Sequence, residues 1–247
     1  MLYKLSVLFM YFITYSFIGY VIEVISTSIH DKKLNLSRGF LIGPVIPIFG
    51  FGGLAIVTLL NRYSNEIITL FVMATVICCV LEYFTSYLME KIFKMRWWNY
   101  SYKKYNINGR ISLDFAIYFG IGGVLTLKFF HPLLSKFILS INHNTLIALA
   151  IILFILIWID TIISTNIIFK FKDNVNKYIN KDSTMRIKAE VRRVLKERSV
   201  LTVRLLKAFP NINIFSRERR ISKIKKLILK RKEYKELKKK KDRKSVV

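Results

Sequence analysis

The chain has 247 residues, 53% of them hydrophobic and 14% aromatic, with a positive mean hydropathy and a formal net charge of +26. That apolar content excludes an ordinary water-soluble domain and points to a membrane protein. The charge is lopsided: of 41 Lys and Arg residues, 28 lie from Lys170 onward, while the first 169 residues hold 13 bases against seven acids.

A helix of about 20 apolar residues crosses a hydrocarbon core of about 30 Å. Five stretches approach that length. The first, Leu5 to Thr27, has no small-residue cleavage signature and reads as a retained helix, not a signal peptide. Along it Ser16, Gly19, Glu23 and Thr27 recur at steps of three and four, with Tyr15 one turn before Gly19, so they share one face. The second, Leu41 to Leu60, overlaps the run RGFLIGPVIPIFGFGG that begins at Arg38. Gly43 and Pro44 break a helix there, and Pro47 and Gly50 bend the chain beyond the break. Such broken spans expose backbone groups that bind ions or substrates, with a plain proline kink as the alternative.

The third stretch, Ile67 to Phe93, repeats the polar face with Thr75, Cys79, Glu82, Ser86 and Glu90. Cys78 and Cys79 are adjacent on this helix, point about 100° apart and read as packing residues, with neither disulfide geometry nor metal spacing. The loop after it, RWWNYSYKKYNINGR, mixes Trp97, Trp98 and Tyr100 with bases, as a membrane-interface belt does. The fourth stretch, Ile111 to Phe130, carries Asp114, Tyr118 and Gly122, and the fifth, Thr145 to Phe169, carries Asp160 and Ser164. His30, His131 and His143 are scattered, so no zinc site, metal or cofactor is expected.

Basic residues mark the cytoplasmic side of a span. Lys32, Lys33 and Arg38 come after the first stretch, and Lys94, Arg96, Lys103, Lys104 and Arg110 after the third. The opposite connections carry only Arg62 in one case and Lys128 with Lys136 in the other. Five crossings then place the N-terminus outside and the tail inside. The expected fold is an all-α polytopic membrane bundle over residues 1–170, with a basic helical cytoplasmic tail over 171–247. Within the tail, Asp182, Ser183 and Thr184 offer a helix start, Pro210 divides it, and a second helix begins near Ser216. Its lysines suit anionic lipid better than nucleic acid, since no recognition motif accompanies them.

A carboxylate at the centre of a membrane helix costs roughly 2.5–3.5 kcal/mol even on insertion scales, so each needs a partner, water or a proton. With that orientation, Glu23, Glu82, Glu90, Asp114 and Asp160 fall in the cytoplasmic half or at its edge. Arg38 and Arg110 lie at the same level as candidate partners. These residues line an inward-opening polar cavity or, alternatively, lock helices together as ion pairs.

Three strings carry a resemblance: SFIGYVIEV with Glu23, RGFLIGPVIPIFGFG, and LEYFTSYLMEKIFKMRWWNYSYKKYNINGRISL. In their order and spacing, over roughly residues 9 to 170, the chain resembles the type IV ABC transporter permease family, also called CmpB-like. Tyr20 stands where Trp is more usual, Asn99 where Asp is usual and Phe49 where Tyr is common, and the second change weakens any role that needs a carboxylate at position 99. The resemblance implies a membrane-spanning transport component and supplies no substrate or catalytic residues. No GxxxxGK[ST] phosphate loop occurs, so the chain is not expected to be an ATPase. A partner ATPase or a homodimer is expected instead. An intramembrane enzyme acting on lipid and a non-catalytic scaffold at the cytoplasmic leaflet stand as alternatives.

Overall fold

Helix α1, Leu2–Asp31, stops where Lys32 takes a left-handed φ of 51° and its N–H turns back to the Ile29 carbonyl at 3.4 Å. The computed structural model describes residues 1–179, Arg204, Asn213 and Ile214, so both helices expected in the tail lie outside the described residues. The helices among the described residues belong to the unit Met1–Asn213.

The expected second span is corrected. Residues 34–46 have no regular secondary structure. Helix α2 is only Pro47–Leu59, 13 residues, or about 20 Å. Pro47 holds the preceding Ile46 extended, at φ −121° and ψ 99°, and occupies the first helical turn, where a missing N–H goes unneeded. The break therefore lies before Pro47. Gly50, expected to bend the helix, sits inside an unbroken α2, and a Cβ there would run into Ser16 Oγ and the Phe12 ring. Its role is to let α2 close against α1. The Ile46 N–H donates to the Ser16 carbonyl at 3.0 Å, so the non-helical run has returned about 22 Å along α1 before α2 begins. Run and short helix together make one crossing.

After a 3-10 turn at Asn61–Tyr63, helix α3 occupies Ile67–Phe93, the expected range, and Lys94 closes it at φ 56°. The connection to the next helix contains strands β1 (Met95–Arg96), β2 (Asn106–Ile107) and β3 (Ile111–Ser112). β2 and β3 pair antiparallel, with Asn106 opposite Ser112 and Ile107 opposite Ile111. Between them Asn108 and Gly109 have φ of 52° and 67°, and the Arg110 N–H closes the turn on the Ile107 carbonyl at 2.9 Å. What reads as a plain interfacial loop is thus a hairpin, built on the Asn-Gly pair that such turns prefer.

The fourth crossing runs past its expected end at Phe130. Helix α4, Leu113–Leu125, passes through a π-helical turn at Thr126–Phe130 into α5, His131–Ser140. Pro132 lacks a donor and crowds the preceding turn, and the wider π turn admits it without ending the rod. Helix α6 is His143–Ile179. Four rods, Leu2–Asp31, Ile67–Phe93, Leu113–Ser140 and His143–Lys170, are long and apolar enough to cross a bilayer.

The two ends of the bundle differ. Around the N-terminal half of α1, Met10, Tyr11 and Tyr15 pack with Leu60, Leu70 and Leu127 in a dry cluster, and Tyr15 Oη meets His131 Nδ1 at 2.8 Å to tie α1 to α5. At the other end Phe93 joins Phe40, Trp97 and Phe169, with ring centroids 5.4–5.9 Å apart. Ile152, Ile155, Leu156 and Ile159 of α6 point outward. That inside-out placement suits hydrocarbon as the surrounding solvent.

Gly109 is the point at which the hairpin is most sensitive. A Cβ there meets Ser101 Oγ and Asn99 Oδ1 on top of the positive φ. Gly109→Val is expected to destabilise the protein by roughly 1–3 kcal/mol. Asn108→Gly is expected to be nearly neutral. Thermal unfolding of the detergent-purified variants checks both, and equal melting temperatures for the two would refute this account of the turn.

Candidate functional site

The acidic residues of the spans and the arginines that pair with them gather at the end of the bundle away from the dry cluster, but in separate groups. The tightest is built on α3. Glu90 Oε2 accepts from Arg110 Nη2 at 2.8 Å and from Arg96 Nε at 3.1 Å. Arg110, buried at the foot of the hairpin, also donates to Ser86 Oγ at 3.0 Å, and its guanidinium lies 5.5 and 5.6 Å from the Tyr83 and Tyr87 ring centroids. Tyr83, Ser86, Tyr87 and Glu90 recur at helical spacing, so one face of α3 supplies the whole cradle. Trp98 Nε1 donates to the Arg110 carbonyl at 3.1 Å and fixes the backbone behind it.

A second group holds the broken span. Asp160 of α6 accepts the Ile42 N–H at 2.8 Å on Oδ1 and the Gly43 N–H at 2.7 Å on Oδ2, while Ser164 Oγ donates to Oδ1 at 2.9 Å. Two successive backbone N–H groups converging on a carboxylate form an anion nest, here filled by the protein's own side chain. From the opposite polarity, Arg204 donates to the carbonyls of Leu41 and, at 3.3 Å, Arg38. Burial lowers the pKa of the Arg204 guanidinium, and the charge of Asp160 opposes that. Gly43 thus takes part through its N–H, whereas Pro44 has none to offer.

Arg38, buried, reaches Thr27 Oγ1 at 2.9 Å and Asp31 at 3.6 Å on the last turns of α1. Asp114, half-buried at the start of α4, pairs with Lys103 and accepts from Ser112 Oγ at 2.6 Å. It is therefore held at the rim by a lysine, and the expected arginine partner is Glu90's instead.

Glu23 and Glu82 remain. Among the described residues the Glu82 carboxylate on α3 receives only the Tyr100 hydroxyl, at a long 3.4 Å. Burial, and then the charges of Glu82 and Glu23, push the Tyr100 phenol well above its usual range, so it stays protonated and able to donate. Among the described residues the Glu23 carboxylate makes no hydrogen bond or ion pair. It lies within electrostatic reach of both Arg38 and Glu82. Two half-buried carboxylates on different spans, without a cation bonded to either among the described residues, are groups able to take a proton or a positively charged group from the aqueous side.

Of the seven expected residues, Glu90 and Arg110 are brought into direct contact. Glu23, Glu82 and Arg38 share a neighbourhood, and Asp114 and Asp160 are each engaged elsewhere. Asp31 and the Ile42 N–H are participants that the sequence does not single out, and Tyr100 and Arg96, read there as a belt residue and a loop base, are partners of Glu82 and Glu90. No group of three or more metal-ligating side chains occurs among the described residues.

A family model described as "Putative ABC-transporter type IV" matches residues 10–165. No curated protein and no solved structure matches the chain.

The Asp160 clamp has a direct test. Asp160→Ala leaves two N–H groups at membrane depth without an acceptor, a loss of roughly 1–3 kcal/mol for each. Asp160→Asn keeps one carbonyl oxygen and is expected to fall between alanine and the unaltered protein in thermal stability. Arg110→Ala takes away one of the two cations on Glu90 and leaves Arg96 in place, so it is expected to cost less than the about 3–5 kcal/mol of a fully stranded buried charge. An unchanged melting temperature for Asp160→Ala would mean that the clamp does not hold the fold.

Proposed function

The chain belongs to that type IV ABC-transporter family, and on this premise we propose that it is the permease component of a membrane transporter working with an ATPase on a separate chain. The match spans 156 of 247 residues, Met10 to Thr165, and runs through every crossing. The sequence contains no GxxxxGK[ST] loop, so on this reading nucleotide hydrolysis of that kind comes from the partner chain. By the excess of Lys and Arg beside the charged end, that end and the basic tail face the cytoplasm, with the tail on anionic lipid. Five crossings are few for a complete pathway, which favours two copies or further subunits around it.

The observation that carries the reading is the division of work among the intramembrane charges. Glu90, Arg110 and Asp160 are consumed by architecture, while among the described residues no cation is bonded to Glu23 or Glu82. Groups that only lock helices find partners, and groups that meet a passing substrate stay available. The scaffold alternative draws support from the same satisfied pairs and differs in what it asks of Glu23 and Glu82.

Two measurements separate them. Affinity capture of the tagged chain from its native membrane is expected to bring down a Walker-motif ATPase, and Glu23→Gln or Glu82→Gln is expected to reduce substrate-coupled ATP hydrolysis by the complex about tenfold or more while thermal stability holds. Repeated capture without any such ATPase would sink the transporter reading. Full hydrolysis with a lowered melting temperature would assign both acids to the scaffold.

A further inference from the structure

The connection between α3 and α4 presents a surface that the acids do not use. From Lys91 to Ser112 the sequence has six basic residues and no acidic one. Glu90 holds Arg96 and Arg110, and Asp114 holds Lys103. Lys91, Lys94 and Lys104 are left, all three exposed and without an ion pair among the described residues. Beside them Tyr102, Tyr105 and Ile107 are 77%, 63% and 60% exposed, and the Lys104 ammonium lies 5.3 Å from the Tyr105 ring centroid.

The depth of this surface is fixed by backbone geometry. The Leu113 N–H donates to the Tyr105 carbonyl at 3.0 Å. Tyr105 is therefore level with the first residue of α4, whose leucine already turns an apolar side chain outward. Lys91 and Lys94 flank the outward-facing Ile92 on the last turn of α3. Both groups of lysines sit where the rods leave the hydrocarbon. Exposed tyrosines and uncompensated lysines at that level match a layer that is apolar below and anionic above.

We infer that this hairpin surface binds the headgroups of anionic phospholipids in the leaflet at the charged end of the bundle. The lysines meet headgroup phosphates while Tyr102, Tyr105 and Ile107 lodge among glycerol and upper acyl groups. An acidic soluble protein would also suit the lysines, but it would leave the apolar side chains at bilayer level unexplained. The inference is independent of transport and stands whether or not an ATPase partner exists.

The full chain carrying Cys78→Ala, Cys79→Ala and Ile107→Cys, labelled with bimane at the new thiol, is reconstituted in phosphatidylcholine vesicles. Doxyl-labelled phosphatidylglycerol or doxyl-labelled phosphatidylcholine is then added at equal mole fraction. Quenching is expected to be stronger with the anionic lipid and to weaken as salt is raised. Lys91→Gln, Lys94→Gln and Lys104→Gln together are expected to bring the two lipids to parity, each lysine accounting for up to roughly fivefold in the preference, while Lys→Arg at the same positions keeps it. Equal quenching in the unaltered chain overturns the proposal, as does a preference that survives the glutamines, which would assign it to the tail. Absence of quenching by either lipid overturns it as well and hands the surface to a soluble acidic partner. If the glutamine variant fails to fold, the salt titration and the arginine variant decide on their own.

Discussion

Backbone N–H and C=O groups at membrane depth have no water to turn to, and the rest of this structure is arranged around that fact. Helices answer it internally. The run 34–46 does not, because Pro44 and Pro47 deny it a helix. Several of its donors and acceptors are met from neighbours: Asp160 takes the N–H groups of Ile42 and Gly43, the Ser16 carbonyl takes that of Ile46, and Arg204 reaches the carbonyls of Arg38 and Leu41. A carboxylate that would be costly in hydrocarbon and a backbone that would be costly in hydrocarbon cancel each other's expense. Asp160 is therefore best understood as part of the second crossing, although it is carried on the last one.

The same logic sorts the other charges. Arg110 is enclosed by a carboxylate, a hydroxyl and two tyrosine faces, which leaves it little reason to move. Through its backbone and Trp98 it anchors the hairpin to the foot of α3. Glu23 and Glu82 lack such enclosure and lie toward the polar end, opposite the apolar packing of Met10, Leu60 and Leu70. One end of the bundle is closed by side chains that exclude water and ions. The other holds Glu23 and Glu82, to which no cation is bonded among the described residues.

Much of this was legible in the residues, and the misses have physical causes. Helix α3 matches its expected bounds because its apolar run is uninterrupted and ends at a lysine that takes the left-handed turn. Helices α1 and α6 extend past the expected ends, since hydropathy marks the part in hydrocarbon and not the polar turns, such as Ser28–Asp31, that continue the helix beyond it. The break at Gly43 and Pro44 is legible in the sequence, but the expected span starts too early, at Leu41, because Leu41, Ile42, Val45 and Ile46 are as apolar in a loop as in a helix. The partner that makes the loop tolerable lies 117 positions away. The expected fourth stretch ends at Phe130, and a π turn at Thr126–Phe130 carries the helix on through Pro132 to Ser140. The hairpin is the miss that a local signal would have caught, as Asn108-Gly109 sits between two short runs of strand-forming residues.

The placement of Asp160 also sets an order of events in biogenesis. When residues 34–59 emerge from the ribosome, the acceptor for Ile42 and Gly43 has not been made, and it comes 118 and 117 residues later. At about 5–20 residues per second that is an interval of several seconds or more. During it the proline-rich half-crossing has α1 beside it but no carboxylate to bind. It is left to wait near the aqueous boundary or in the care of the insertion machinery until the final helix arrives. Insertion of α6 is thus the step that completes the second crossing, so a chain truncated before Asp160 lacks more than its last rod.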